Sequence, residues 1–457
     1  MQRSVTGLLK AASLALSLLA LPAFAQQEPV RLSPQEARGF AMTLLRQDRP
    51  AAARAIALGL LKKDSRDFVA LMVLADSEKK LGRPVQAKFA ARRAFRTAKR
   101  DKDRFTAAYI MSGILKAEGK FQQSQLWLRR AGQATDEERL QNAARGEFRR
   151  VRALNPWTLT FGLTVTPTSN VNGGPNDNTY TIGDFVFVDD TAVPLSGFEI
   201  GARFGVKRRF KPQDWGQVSF SLNYDERQYV LSDSAKASQP SARGSDYAFR
   251  SLQGNLSFDF THKNKAASSS FDVTLGHHWQ KEESLSSYYK LRYGRQNTLS
   301  DIARIGYGVS YENQSRKDTA ARSTESFGLD GFWLKKMPSG DYLRLGFNLA
   351  KVDSASSDMA HTAYGFSTGY VRAKPFLKSR LTLGASLHMR EYDRLRYASY
   401  GVRRDKKLSL SADMLFTEID YLGFSPSITL RATRNLSNVT LFDSQEFGIS
   451  FGVKSTF

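Results

Sequence analysis

Phe447-Gly448-Ile449-Ser450-Phe451-Gly452-Val453-Lys454-Ser455-Thr456-Phe457 closes the chain. Its apolar side chains fall on alternate positions, Phe447, Ile449, Phe451 and Val453, and the last residue is again Phe. The gaps hold Gly448, Ser450, Gly452, Lys454 and Thr456. A period of two is that of a β-strand, with one greasy face and one polar face. Placed with the greasy face outward, such a strand is one stave of a membrane-spanning barrel. Staves come in sets, so the reading turns on how many precede it.

Working upstream, the alternation recurs as far as Trp157. Trp157, Leu159, Phe161, Leu163 and Val165 form the first stripe. Phe198 to Val206, Val218 to Tyr224, Leu252 to Phe260, Phe271 to Trp279 and Tyr289 to Tyr293 follow. Then come Ile305 to Tyr311, Phe327 to Trp333, Leu343 to Leu349, Tyr364 to Tyr370, Leu381 to Met389, Leu408 to Phe416 and Ile428 to Ala432. With the terminal segment this predicts about fourteen strands, an even number suited to a bacterial antiparallel transmembrane barrel over 155–457. Connections after even-numbered stripes are short, as at 335–341, whereas those after odd-numbered stripes are mostly longer and polar, as at 166–196, 230–246 and 352–361. Inward positions such as Asp272, Thr274, Gly276, Arg344, Asn348, Lys407 and Asp413 are small or hydrophilic, which predicts a wet lumen that loops constrict. Trp157, Trp279, Trp333, Tyr311 and Tyr370 are expected in interfacial girdles. Phe457 resembles the terminal recognition signal read by the barrel-assembly machinery.

The other end of the chain carries an address. Arg3 and Lys10, the apolar run from Ala11 to Leu21 and the small-x-small site Ala23-Phe24-Ala25 read as a signal peptide over 1–25, cut before Gln26. No later stretch approaches about 18 apolar residues, so any membrane crossing falls to strands. The hydrophobic fraction of 41% and mean hydropathy of -0.41 suit a barrel better than a helical membrane protein. Zero cysteines rule out a disulfide framework and a thiolate metal site. The formal net charge of +23 would suit nucleic acid, but the export signal argues against it. Lipid phosphates, lipopolysaccharide or an acidic client protein remain as counter-charges, beside plain solvation of Lys and Arg. The expected address is the outer membrane of a Gram-negative bacterium.

Between residues 26 and 154 the pattern is helical. Ser33-Pro34-Gln35-Glu36 has the form of a capping box with proline at N1. Asp48-Arg49-Pro50, Gly82-Arg83-Pro84 and Gly119-Lys120-Phe121 are one recurring turn, 34 and then 37 residues apart, from position 48 to 82 and from 82 to 119. That spacing resembles the tetratricopeptide repeat, with small residues where the paired helices touch. The first copy departs, with Asp48 in place of Gly. Three repeats bury a continuous seam and leave a concave face that holds a peptide or protein. Arg92, Arg93, Arg96, Lys99 and Arg100 form a cationic run that reads either as a grip on an acidic client or as a solvated helix face.

Reaction chemistry is scarce. Gly365-Phe366-Ser367-Thr368-Gly369 matches G-x-S-x-G in letters but falls inside a strand stripe, where the nucleophile elbow has no turn to sit on. The five histidines show no H-x-x-x-H spacing. No enzyme activity, metal or cofactor is expected.

The order of signal peptide, short tetratricopeptide-like α-solenoid, Asn155-Pro156-Trp157 junction and fourteen-stranded barrel resembles the surface lipoprotein assembly modulator family. The matching tags are Asn155-Pro156-Trp157, Ser169-Asn170 after the first strand, Arg404-Asp405 entering the twelfth, and Pro426 with Ser437-Asn438 in the last pair. The resemblance implies an outer-membrane translocator whose periplasmic repeats receive an exported client, a surface lipoprotein or a haemophore-like secreted protein, which the barrel passes outward. Two other readings stay open: an exopolysaccharide exporter with a repeat scaffold, suited by the positive charge, and a passive porin.

Overall fold

The computed structural model describes residues 32–182, 185–189, 193–262, 266–394, 400–419, 421 and 424–455. The expected signal segment and Phe457 lie outside the described residues. The chain divides into two compact units, with the boundary after Glu118.

The first unit contains α1 (Pro34–Arg46), α2 (Pro50–Lys63), α3 (Phe68–Lys80), α4 (Pro84–Thr97) and α5 (Asp101–Ala117). Ser33 caps α1 through the expected box: its hydroxyl accepts the Glu36 N–H, and the Glu36 carboxylate accepts the Ser33 N–H at 2.8 Å. Those bonds hold the Glu36 carboxyl below its usual range. Alanines make the helix pairs close. Ala41, Ala53 and Ala57 are fully buried between α1, α2 and Val73 of α3, and Ala94 and Ala107 pack with Leu71 and Met72 in the next layer. The recurring turn is real at all three copies, since Asp48, Gly82 and Gly119 have φ of 56°, 72° and 72°. Asp tolerates the left-handed conformation better than most residues, and here its carboxylate also receives Lys80 Nζ at 2.9 Å. The departure in the first copy therefore leaves the repeat geometry unchanged.

The second unit begins with α6 (Phe121–Gln133) and α7 (Glu138–Leu154) and continues into the sheet. Its strands are β1 (Trp157–Thr168), the short pair β2 (Thr179–Ile182) and β3 (Phe185–Val188), β4 (Gly197–Arg209), β5 (Gly216–Leu231), β6 (Phe249–Thr261), β7 (Ala267–Gln280) and β8 (Glu283–Ser300). They continue with β9 (Ala303–Arg316), β10 (Thr324–Lys336), β11 (Tyr342–Ser354), β12 (His361–Val371), β13 (Arg380–Tyr392), β14 (Arg404–Leu415), β15 (Phe424–Ser437) and β16 (Ser444–Ser455). All but β2 and β3 close into one antiparallel barrel of fourteen strands, each paired to its neighbours and β16 to β1. Closure removes every sheet edge, which is what lets strands cross a hydrocarbon layer.

The register keeps the stripes on one face all the way round: Phe161 opposite Phe204, Leu291 opposite Tyr311, Phe347 opposite Phe366, Leu387 opposite Leu408, and Val165 opposite Phe451. These residues point outward, so the exterior is a belt of large apolar side chains while the interior is polar. A closed barrel with that inversion is an outer-membrane protein. Trp157, Trp333 and Tyr370 sit toward the end with short turns, Trp279 and Tyr311 toward the end with longer loops.

The connections depart from the expected parity in places: at the turn end 372–379 and 416–423 are longer than 317–323, 355–360 and 438–443 at the loop end, and the largest departure is between β7 and β8. β7 and β8 are joined by Lys281 and Glu282 alone, where the odd-numbered position led us to expect a longer loop. Lys281 takes φ of 58°, so a non-glycine residue supplies the reversal. The loop end also holds structure that the polarity of its loops concealed: the β2–β3 hairpin and α8 (Asp233–Ser238). Val171, Leu195, Leu231 and Ala235 form a small core there, with Tyr229, Ala242 and Tyr247 against it.

Candidate functional site

The sequence tags resolve into a joint at the turn end and a clasp at the loop end. At the joint, Asn155 is buried; its Oδ1 accepts the Trp157 N–H at 3.0 Å, and its Nδ2 donates to Gln125 Oε1. Arg209 of β4 donates to the carbonyls of Asn155 and Pro156 at 2.7 Å each, the first from its guanidinium and the second from its N–H. Pro156 biases the residue before it away from the helical region, so α7 ends and β1 starts within two residues. Pro426 lies opposite Val453, one residue before the β14–β15 register begins, a place where a missing N–H is tolerated.

At the loop end, Asn170 closes its own turn by donating to the Gly174 carbonyl and accepting the Gly174 N–H, while Ser169 is exposed. Asn438 accepts the Arg404 N–H at 2.6 Å and donates to the carbonyls of Tyr400 and Val402. Asp405, which faces Ser437 in the register, takes two bonds from the Arg403 guanidinium. That guanidinium lies on the rings of Phe442 and Tyr392, 3.2 and 4.4 Å from their centroids. Asn176 and Asp443, together with Thr440 and the Thr179 carbonyl, tie the first loop to the last across the β1–β16 seam.

Asn170 and Asp405, far apart in sequence, line one cavity of about 310 Å³ with Arg403, Asn435, Phe442 and Glu446. A second cavity of about 310 Å³ shares Arg390, Asp405, Lys407 and Asn435 and adds Ser386, His388 and Ser409. The lumen wall around them divides into two arcs. From β4 to β10 three of the inward cations are matched, Arg203 with Asp225, Lys290 with Glu312 and Arg292 with Asp330, whereas Lys207, Arg227 and Arg304 have no carboxylate within 4.0 Å among the described residues. From β11 to β16 the wall is mostly Gly, Ser and Thr, and Arg390, Lys407 and Arg431 have no carboxylate within 4.0 Å among the described residues. Sequence reading took Lys407 only as an inward position and did not single out Arg390 or Arg431. The signal was present as basic residues on the polar alternate, but matched and unmatched cations look alike until the register is known.

In the helical unit the cationic run splits. Arg93 donates to the Ser65 carbonyl and lies over Phe89, and Arg100 is held by both oxygens of Asp103. Arg92, Arg96 and Lys99 are exposed. On α4, Arg92 and Arg96 continue a stripe with Val85 and Phe89, which are 69% and 61% exposed. That apolar half was missed because its residues read as ordinary helix positions.

The Gly365–Gly369 segment lies within β12, and Ser367 faces Gly346 and Ser386 across the strands. His277 bonds Ser284 and Ser287, and His278 bonds Ser286. Among the described residues no cluster of three His, Cys, Asp or Glu could hold a metal.

No protein-family profile matches the chain, and no curated protein matches it. Among solved structures, the type III secretion chaperone SycD of Yersinia enterocolitica, bound to a peptide of the translocator YopD, covers 26% of this chain and 92% of its own at 10% identity, with a TM-score of 0.24. OccAB3 of Acinetobacter baumannii covers 65% of this chain and 98% of its own at 8% identity, with a TM-score of 0.37. A bacterial polysaccharide outer-membrane secretin covers 65% and 98% at 9% identity, with a TM-score of 0.32.

Proposed function

We propose that the protein is an outer-membrane translocator that docks an exported protein client on its helical repeats and passes it outward through the barrel. The observation that carries this reading is the α4 stripe. Val85 and Phe89, beside Arg92 and Arg96, are the barest large apolar residues described in that unit, ahead of Phe40 at 50% and Met42 at 44%. Such a stripe fits an acidic, amphipathic segment. Covering Val85 and Phe89 would contribute about 1.5–3 kcal/mol each, enough to gather a client without trapping it. In this reading the turn end and the helical repeats face the periplasm, the loop end faces outward, and the protein carries out no reaction. Its surroundings are lipopolysaccharide and lipid, and the barrel-assembly machinery inserts it. The clients implied by the family resemblance are surface lipoproteins or haemophore-like secreted proteins.

The unmatched cations of the lumen favour a second reading, export of an acidic polysaccharide. Comparing the surface and secreted proteomes of cells with and without the gene separates the two. We expect one or a few proteins to vanish from the surface, to return with the wild type, and to stay absent with Phe89→Glu, while that variant still migrates as a heat-modifiable barrel. An unchanged surface proteome, with a lost acidic polymer, would reject the client reading.

A further inference from the structure

We infer that the loop end of the lumen carries an oxyanion-binding site, built by Arg390, Lys407 and His388, for a small acid bearing carboxylate groups. It stands apart from the client reading, because nothing in it uses the helices.

The register brings the three together: Arg390 lies opposite Asp405, and Lys407 lies opposite His388 on one side and Asn435 on the other. Directly opposed residues on one sheet face have Cβ atoms about 4.5–5.5 Å apart, so these side chains share one patch of wall. Asp405 should neutralise it, yet both of its oxygens are taken by Arg403, itself fixed on Phe442 and Tyr392. The other acid lining the cavity, Glu446, accepts the Thr168 hydroxyl and forms no ion pair with Arg390 or Lys407. Two positive charges are thus left facing the lumen beside the Ser386 and Ser409 hydroxyls and the Asn435 amide. Across the barrel, Arg203, Lys290 and Arg292 each have a carboxylate partner, whereas here two neighbouring cations on one patch of wall go without.

A cleft of one sign between low-dielectric walls concentrates the opposite charge. A guanidinium presents a fork that suits a carboxylate, and an ammonium beside it adds a second contact. The cavity of about 310 Å³ admits a molecule of a few carboxyl groups and excludes a folded domain.

The test is equilibrium dialysis of the detergent-solubilised full chain against labelled citrate at fixed ionic strength, with inorganic phosphate as competitor. We expect saturable binding of one citrate per chain, with phosphate displacing it only at higher concentration. R390Q/K407Q should weaken binding at least about tenfold, the loss expected for charge-assisted hydrogen bonds. R390K/K407R should retain most of it, and K374Q/K378Q, which removes the same charge from the turn end, should leave it unchanged. Heat-modifiable migration confirms that each variant is folded. Binding of phosphate in preference to citrate would overturn the assignment to a carboxylate-bearing acid. Absence of saturable binding of either anion, or equal losses in K374Q/K378Q and R390Q/K407Q, would overturn it.

Discussion

Leu71 is fully buried between helices, and Leu275 is 62% exposed on the outer face of β7. The same side chain is stabilised in both places because the two units answer to different solvents. In the helical unit water drives leucine inward against alanine; in the barrel the surroundings are hydrocarbon, and water fills the inside. Exposure alone therefore says nothing until the solvent is known. Val85 and Phe89 are anomalous because they belong to the unit whose solvent is water, whereas Phe366, 54% exposed, is where the membrane needs it.

The contrast breaks most visibly if a charge enters each kind of apolar site. Leu71→Asp places an unpaired carboxylate in the helical core and should cost about 3–5 kcal/mol, unfolding the repeats while the barrel keeps its heat-modifiable shift; far-ultraviolet dichroism of the purified protein reads the helical loss. Leu275→Arg, turned to lipid, should cost about 2–4 kcal/mol in the urea midpoint for folding into vesicles. Its neighbour Thr274→Arg, turned to the lumen, should shift that midpoint far less; equal shifts would mean the inside and outside of the wall are assigned wrongly. At the loop-end clasp, Asn438→Ala removes three hydrogen bonds to Arg404, Tyr400 and Val402. A loss of about 1–3 kcal/mol is expected, seen as faster proteolysis beside residue 400 with the transmembrane wall intact.

The smallest effect is in acid. Asp341, in the turn between β10 and β11, accepts the Ala373 N–H and the hydroxyls of Tyr370 and Ser339, and its carboxyl falls from 3.8 to about 2. A carboxylate favoured in the folded state stabilises above the unfolded value and loses that contribution as pH falls through the folded one. Wild type should therefore loosen at this turn between about pH 4 and 2, whereas Asp341→Asn should be looser throughout and lack that pH step. Hydrogen exchange at Ala373 follows both.

The wall was legible because a membrane enforces alternation residue by residue: the stripe at Leu343 to Leu349 needs no tertiary knowledge to be seen. The helix-to-strand switch at Asn155 was legible for a similar local reason, proline. Lys281 was not, because Gln280-Lys281-Glu282-Glu283 contains none of the residues that ordinarily mark a tight reversal. The cavity lining was hidden for another reason. Arg292 and Arg390 occupy equivalent inward positions in sequence, and only the register shows that one meets Asp330 while the carboxylate opposite the other is already taken.

The ladder that seals the cylinder joins the first stave to the last: Thr166 donates to Ser450, 284 positions further along the chain. Synthesis runs from one to the other, so every nascent or truncated form ending before Ser444 would present two raw margins able to pair with neighbours. Until β16 arrives, this polypeptide stays an open ribbon with both margins unpaired.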